Sequence, residues 1–144
     1  IFPPEEMHLW ISNKATFILA IIGSLFFFIG SMFFAGVGFT PYDVFFDLHV
    51  FFALNSFRLM IPASLIYLIV FLRSSLSIKY IAVIASFLFL VTAYVIYLNI
   101  GENPLSNKEA MIASATIQKF IAFMSVATVF SLSFGFSKRI NNSK

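Results

Sequence analysis

The sequence predicts an all-α integral membrane protein, a four-helix transmembrane bundle with both termini cytoplasmic. Three observations carry that expectation. Hydrophobic residues make up 60% of the 144 and charged residues only 10%, whereas a soluble domain is about half apolar and about a quarter charged. The apolar residues, 21 phenylalanines among them, fall in four long runs rather than the short alternating segments of a β-barrel. The basic residues are also asymmetric. With four spans, Lys14, Arg73, Lys79, Lys138, Arg139 and Lys144 share one side, and Lys108 stands alone on the other with Asp43, Asp47, Glu102 and Glu109. An excess of Lys and Arg marks the cytoplasmic side, so the expected place is the plasma (inner) membrane, N-in and C-in.

Residues 1–14 are read as an interfacial or loop segment. Pro4 followed by Glu5 and Glu6 suits a helix start, and Trp10 suits the headgroup level. Because the chain opens on Ile1, the 144 residues are expected to belong to a larger translation product. The first span, 15–39, is long enough for the roughly 20 residues that a bilayer core requires. It carries small residues at Ala20, Gly23, Ser24, Gly30, Ser31, Ala35, Gly36 and Gly38, a composition that lets a second helix approach closely. Phe26, Phe27, Phe28, Phe33 and Phe34 load the remaining surface for lipid. Pro41 ends this span, since the residue before a proline avoids the helical region.

The second span, 46–73, organises the chain. At 100° per residue, Asp47 and Arg58 fall on one line, three turns and about 16 Å apart. Asn55 lies one turn from Arg58, and His49 lies opposite, in line with Ser56 and Met60. Pro62 has no N–H for the Arg58 carbonyl, which frees that oxygen and predicts a bend. The third span, 78–99, reads as packing material, with Tyr94 and Tyr97 at its far interface. Ser106 and Glu109 fit a capping box that opens the fourth span, 107–136. There Ser114, Gln118, Ser125 and Thr128 form a polar seam, with Lys119 beside it. Residues 137–144 read as a basic cytoplasmic tail, frayed at the end.

The junction Gly36-Val37-Gly38-Phe39-Thr40-Pro41, followed by His49 and Phe51-Phe52, resembles the Gly-x-x-Phe-Pro … His … Phe-Phe junction of a six-span prokaryotic membrane family. That family is of unknown function and related to the DRAM-like autophagy-modulator membrane proteins. Here the order is phenylalanine-threonine-proline. The resemblance implies that this chain is the last four of six spans. It implies no activity.

Composition also narrows function. A net charge of +3 with no basic run longer than Lys138-Arg139 gives no nucleic-acid footprint. Without cysteine, these residues hold no thiolate nucleophile, thiolate metal site or disulfide. His8 and His49 fall on opposite sides of the membrane in this topology, so no metal site or haem pair is expected, and no other cofactor. The sharpest observations are Arg58 and Lys119. A charge inside a span costs at least about 2.5–3.5 kcal/mol on insertion scales, and no acid lies at their depth. Three readings follow: a polar cluster that packs the bundle or meets a partner subunit, a pocket for an anion or polar ligand, and snorkelling to an interface. The candidate ligand- or partner-binding residues are therefore Arg58, Lys119, Asn55, Gln118, Asp47 and His49, with none assigned as catalytic. The leading expectation is a non-enzymatic structural or accessory subunit of a larger membrane complex, in contact with lipids and other transmembrane subunits. The alternatives are a transporter, channel or lipid-binding component using Arg58 and Lys119, and, last, a lipid-modifying enzyme using Asp47, His49 and Arg58.

Overall fold

The computed structural model describes residues 14–74, 76–101 and 106–142, with side chains through residue 134. The expected interfacial segment with His8 and Trp10, the turn at Glu102 and Pro104, and the last two residues lie outside the described residues. All regular structure described is helical: α1 (Lys14–Phe39), α2 (Phe46–Leu72), α3 (Ile78–Ile100) and α4 (Lys108–Asn142). Each is long and apolar enough to cross a membrane, α4 over Lys108–Phe134. At 1.5 Å per residue these stretches run about 34–40 Å, against a hydrocarbon core of about 30 Å.

The chain divides into two compact units between Ser75 and Leu76. The first is the α1–α2 hairpin. Thr16, Ala20, Gly23 and Gly30 are the buried residues of α1, spaced by threes, fours and sevens as an antiparallel seam requires. Opposite them stand large residues at intervals of seven. A Cβ placed on Gly23 would lie 3.0 Å from Ile66 Cγ2, one on Gly30 3.4 Å from Leu59 Cβ, and one on Gly36 2.7 Å from Phe52 Cδ1. Ile66, Leu59 and Phe52 therefore fill the gaps that three missing side chains leave. This close van der Waals packing is the kind that small residues permit between helices.

Only part of the small-residue pattern is used in this way. Ser31 and Ala35 are exposed, and the Ser31 hydroxyl donates back to the Phe27 carbonyl at 2.8 Å. Gly38 has nothing within 4 Å of its would-be Cβ. Phe33, expected against lipid, instead packs its ring on Phe51 and Phe52 of α2, with centroids 5.8 Å apart in each pair. The glycine stripe brings α2 close enough for that ring cluster to form. α2 itself runs unbroken through Pro62.

The second unit is the α3–α4 hairpin. Ile84, Phe87, Val91 and Tyr94 form the buried face of α3. Ala110, Ser114, Ile121, Ser125 and Thr128 are buried on α4, so the polar seam read from the sequence is the packed face of that helix. Tyr94 and Ser114 set the register with a hydroxyl–hydroxyl contact at 3.4 Å. Seven residues on along each helix, Phe87 comes level with Ile121. Three expectations change in this unit. Tyr94 is 4% exposed and belongs to the core, because Ser114 satisfies its hydroxyl there. The cap of α4 is Asn107 rather than Ser106: Asn107 Oδ1 accepts the Ala110 N–H at 2.7 Å, which satisfies one of the helix's orphan donors. Finally, α4 continues through Asn142, because no proline or other strong stop follows Phe136.

Candidate functional site

Two regions of the first unit and one of the second carry the candidate residues. The first is the α1–α2 junction. Thr40 is buried, and its hydroxyl donates to the Gly36 carbonyl at 2.8 Å, closing the last turn of α1. Its own carbonyl lies 2.6 Å from His49 Nδ1. A carbonyl only accepts, so Nδ1 carries the proton and, in the neutral ring, Nε2 is the lone-pair nitrogen. The Tyr42 ring is T-shaped to the His49 ring at 5.7 Å and to the Phe46 ring at 4.9 Å. His49 is thus a half-buried strut that ties α2 to the turn. Asp47 is exposed beside it, at the second position of α2, where the helix dipole favours an acid.

The second region is the middle of α2. Arg58 is exposed, twelve residues beyond the first residue of a 27-residue helix. The same exposed line holds Leu48 and Phe51 above and Leu65 and Leu72 below. Asn55, half-buried, donates its amide N–H to the Phe51 carbonyl at 2.8 Å. That bond within its own helix satisfies one of its amide hydrogens and holds the side chain toward Phe51. Pro62 lies one turn below and leaves the Arg58 carbonyl without its i+4 donor.

In the second unit Lys119 is exposed, and Gln118 is half-buried next to it. Lys119 stands eleven residues beyond the first residue of α4, close to the position Arg58 has along α2. Its exposed neighbours are Ile112, Phe120, Phe123 and Val126. Arg58 belongs to the first unit and Lys119 to the second.

The acids are placed very differently. Within the four helices, the only Asp or Glu residues are Asp47 and Glu109, each the second residue of its helix. Asp47 is about 16 Å along the axis from Arg58. Among the described residues, neither Arg58 nor Lys119 has an ion-pair partner, and no group of His, Asp and Glu is able to hold a metal ion. Every buried side-chain nitrogen or oxygen among the described residues is hydrogen-bonded.

One polar contact of the first hairpin is not evident from helix spacing alone. Ser24 and Tyr67 join α1 to α2 with a 2.6 Å hydroxyl contact, and Ser24 also donates to the Ala20 carbonyl at 2.9 Å. The available signal was Tyr67 standing seven residues from Met60 on the inward line. Comparison with protein-family models, with curated proteins and with solved structures finds no match.

Proposed function

We propose that the chain is an integral membrane protein with four spans and both termini cytoplasmic, acting as a non-enzymatic accessory subunit of a larger membrane complex. One observation carries this reading: Arg58 and Lys119 are exposed in the middle of helices whose other exposed side chains are mostly Phe, Leu, Ile and Val. Left in hydrocarbon, each cation costs at least about 2.5–3.5 kcal/mol. Two such costs, about 5–7 kcal/mol together, reach the lower end of an ordinary domain's stability, about 5–15 kcal/mol. A covering partner removes that cost.

Snorkelling offers less relief. A 27-residue helix centred on a core of about 30 Å leaves Arg58 roughly 13 Å below the nearer hydrocarbon edge, about twice the reach of its side chain. The short connections of the described residues, such as 40–45 between α1 and α2, offer little material for a catalytic domain. The surplus of Lys and Arg at the two termini and the α2–α3 connection supports the cytoplasmic assignment of both ends.

Blue-native electrophoresis of gently solubilised membranes tests the proposal. The chain, 16.2 kDa, is expected in a band that also contains at least one other membrane polypeptide at fixed stoichiometry. Migration as a lone chain or as a pure homo-oligomer would overturn the reading.

A further inference from the structure

We infer that the line Phe51–Asn55–Arg58–Pro62–Leu65 of α2, exposed at Phe51, Arg58 and Leu65 and half-buried at Asn55 and Pro62, docks a membrane-spanning helix of a different polypeptide, one that carries an aspartate or glutamate at mid-depth. This rests on the subunit reading above and adds the surface and the chemistry of the partner.

Spacing is the first argument. These five residues are separated by four, three, four and three positions, and Leu48 and Leu72 extend the line in the same rhythm. That 3.5-residue average is the period of a helix–helix seam. The adjoining flank of α2, about 100° around the helix, already has such a seam, filled by α1 through Phe52, Leu59 and Ile66. Within the first unit the second line has the same spacing and is left open at Leu48, Leu65 and Leu72, which are 45%, 47% and 63% exposed, and partly open at Phe51, whose ring also meets Phe33 of α1.

Charge complementarity selects the occupant. A guanidinium in a low-dielectric surrounding calls for a carboxylate, whose two oxygens match its fork. Pro62 removes the i+4 donor of the Arg58 carbonyl at the same level. A second copy of this chain does not supply the acid. Its helices carry Asp and Glu only at their second positions, Asp47 and Glu109, and bringing either to Arg58 in a parallel pair needs an axial slip of about 16 Å, which would break the seam. Lipid phosphates lie at the interface, roughly 13 Å above. An acidic residue at mid-depth on a foreign helix supplies the carboxylate that the guanidinium calls for. The pattern recurs on α4, where Ile112, Thr116, Lys119, Phe123 and Val126 repeat the four-three-four-three spacing, exposed and with one central cation.

The test is site-specific photo-cross-linking in native membranes. Leu65→p-benzoylphenylalanine is expected to give an adduct with one polypeptide other than itself, on an apolar helix containing a mid-span Asp or Glu. Arg58→Leu should lower adduct yield at least tenfold, and Arg58→Lys should retain most of it. Arg58→Asp paired with the partner's acid changed to Arg should restore it. A disulfide between Gly30→Cys and Leu59→Cys, formed in the same Arg58→Leu background, shows that the hairpin is still folded. An adduct only with itself, only with lipid, or with a polypeptide but insensitive to Arg58→Leu in the folded hairpin would overturn the inference. If the chain still migrates with another subunit in that last case, the subunit reading survives. If it migrates alone, both fall.

Discussion

The hydroxyls of Ser24 and Tyr67 meet at 2.6 Å between α1 and α2, and the proton directions are fixed by a third group. Ser24 spends its only hydrogen on the Ala20 carbonyl, so Tyr67 must donate to Ser24. The pair is therefore a relay of two hydrogen bonds in one direction, set beside the Gly23–Ile66 contact.

A double-mutant cycle of Ser24→Ala and Tyr67→Phe should return a coupling of about 0.6 kcal/mol, with an upper bound near 1.7, the range of interhelical hydrogen bonds in membranes. The Tyr94–Ser114 contact is longer, 3.4 Å, and the cycle of Tyr94→Phe with Ser114→Ala should return less. Reversible unfolding in mixed micelles measures both. Equal couplings would contradict the difference in geometry.

The register of the first hairpin is testable because the chain has no cysteine. The Cβ positions of Gly30 and Leu59 stand 3.4 Å apart, close to the mean of about 3.8 Å for a disulfide. Gly30→Cys with Leu59→Cys should oxidise readily, read as a loss of two hydrogens by intact mass. Gly38→Cys, with nothing within 4 Å, should not cross-link to any single cysteine placed on α2.

Glycine substitutions should separate along α1. Gly36→Ala drives a Cβ to 2.7–2.9 Å from the Phe52 ring, and overpacking of this kind costs about 1–3 kcal/mol. Gly38→Ala should stay within about 0.5 kcal/mol of wild type. Phe52→Leu should recover part of the Gly36→Ala loss. Thermal unfolding of the purified protein in one detergent ranks them.

Much of this was legible from periodicity. The wheel puts Asp47 and Arg58 on one line and His49 with Ser56 and Met60 on the other, and the structure exposes the first two and buries Ser56 and Met60. The seam of Ser114, Ser125 and Thr128 is likewise a matter of spacing. What spacing does not decide is which of two similar stripes a neighbour covers. α1 offers small residues both at Gly23 and Gly30 and at Ser31 and Ala35, and the choice falls to the bulk of Ile66 and Leu59 across the hairpin. Tyr94 fails for a related reason. A tyrosine near a span end suits water or a core, and Ser114, twenty residues away, settles the matter. Among the candidate residues, the places of Arg58 and Lys119 along their helices were readable, but their exposure depends on which helix faces pack.

The cap of α4 gives a sharp discrimination between a motif and its geometry. Asn107→Ala should cost about 1 kcal/mol, the usual loss for an N-cap, while Ser106→Ala should be close to neutral. Hydrogen exchange at the Ala110 amide, the proton that Asn107 Oδ1 holds, should accelerate in the first variant only. The opposite order would restore the capping box.

At the junction, the neutral His49 ring should be the tautomer protonated at Nδ1. Nitrogen NMR of labelled protein reads this directly. His49→Asn, which keeps an N–H donor near the Nδ1 position, should preserve the turn better than His49→Leu, and a ring protonated only at Nε2 would contradict the bond to Thr40.

The most direct measurement is native mass spectrometry of the assembly released from membranes. The account predicts a complex containing this chain and at least one other polypeptide, which falls apart to the free chain when Arg58→Leu and Lys119→Leu are combined. A wild-type chain that flies alone, or only with copies of itself, would contradict it.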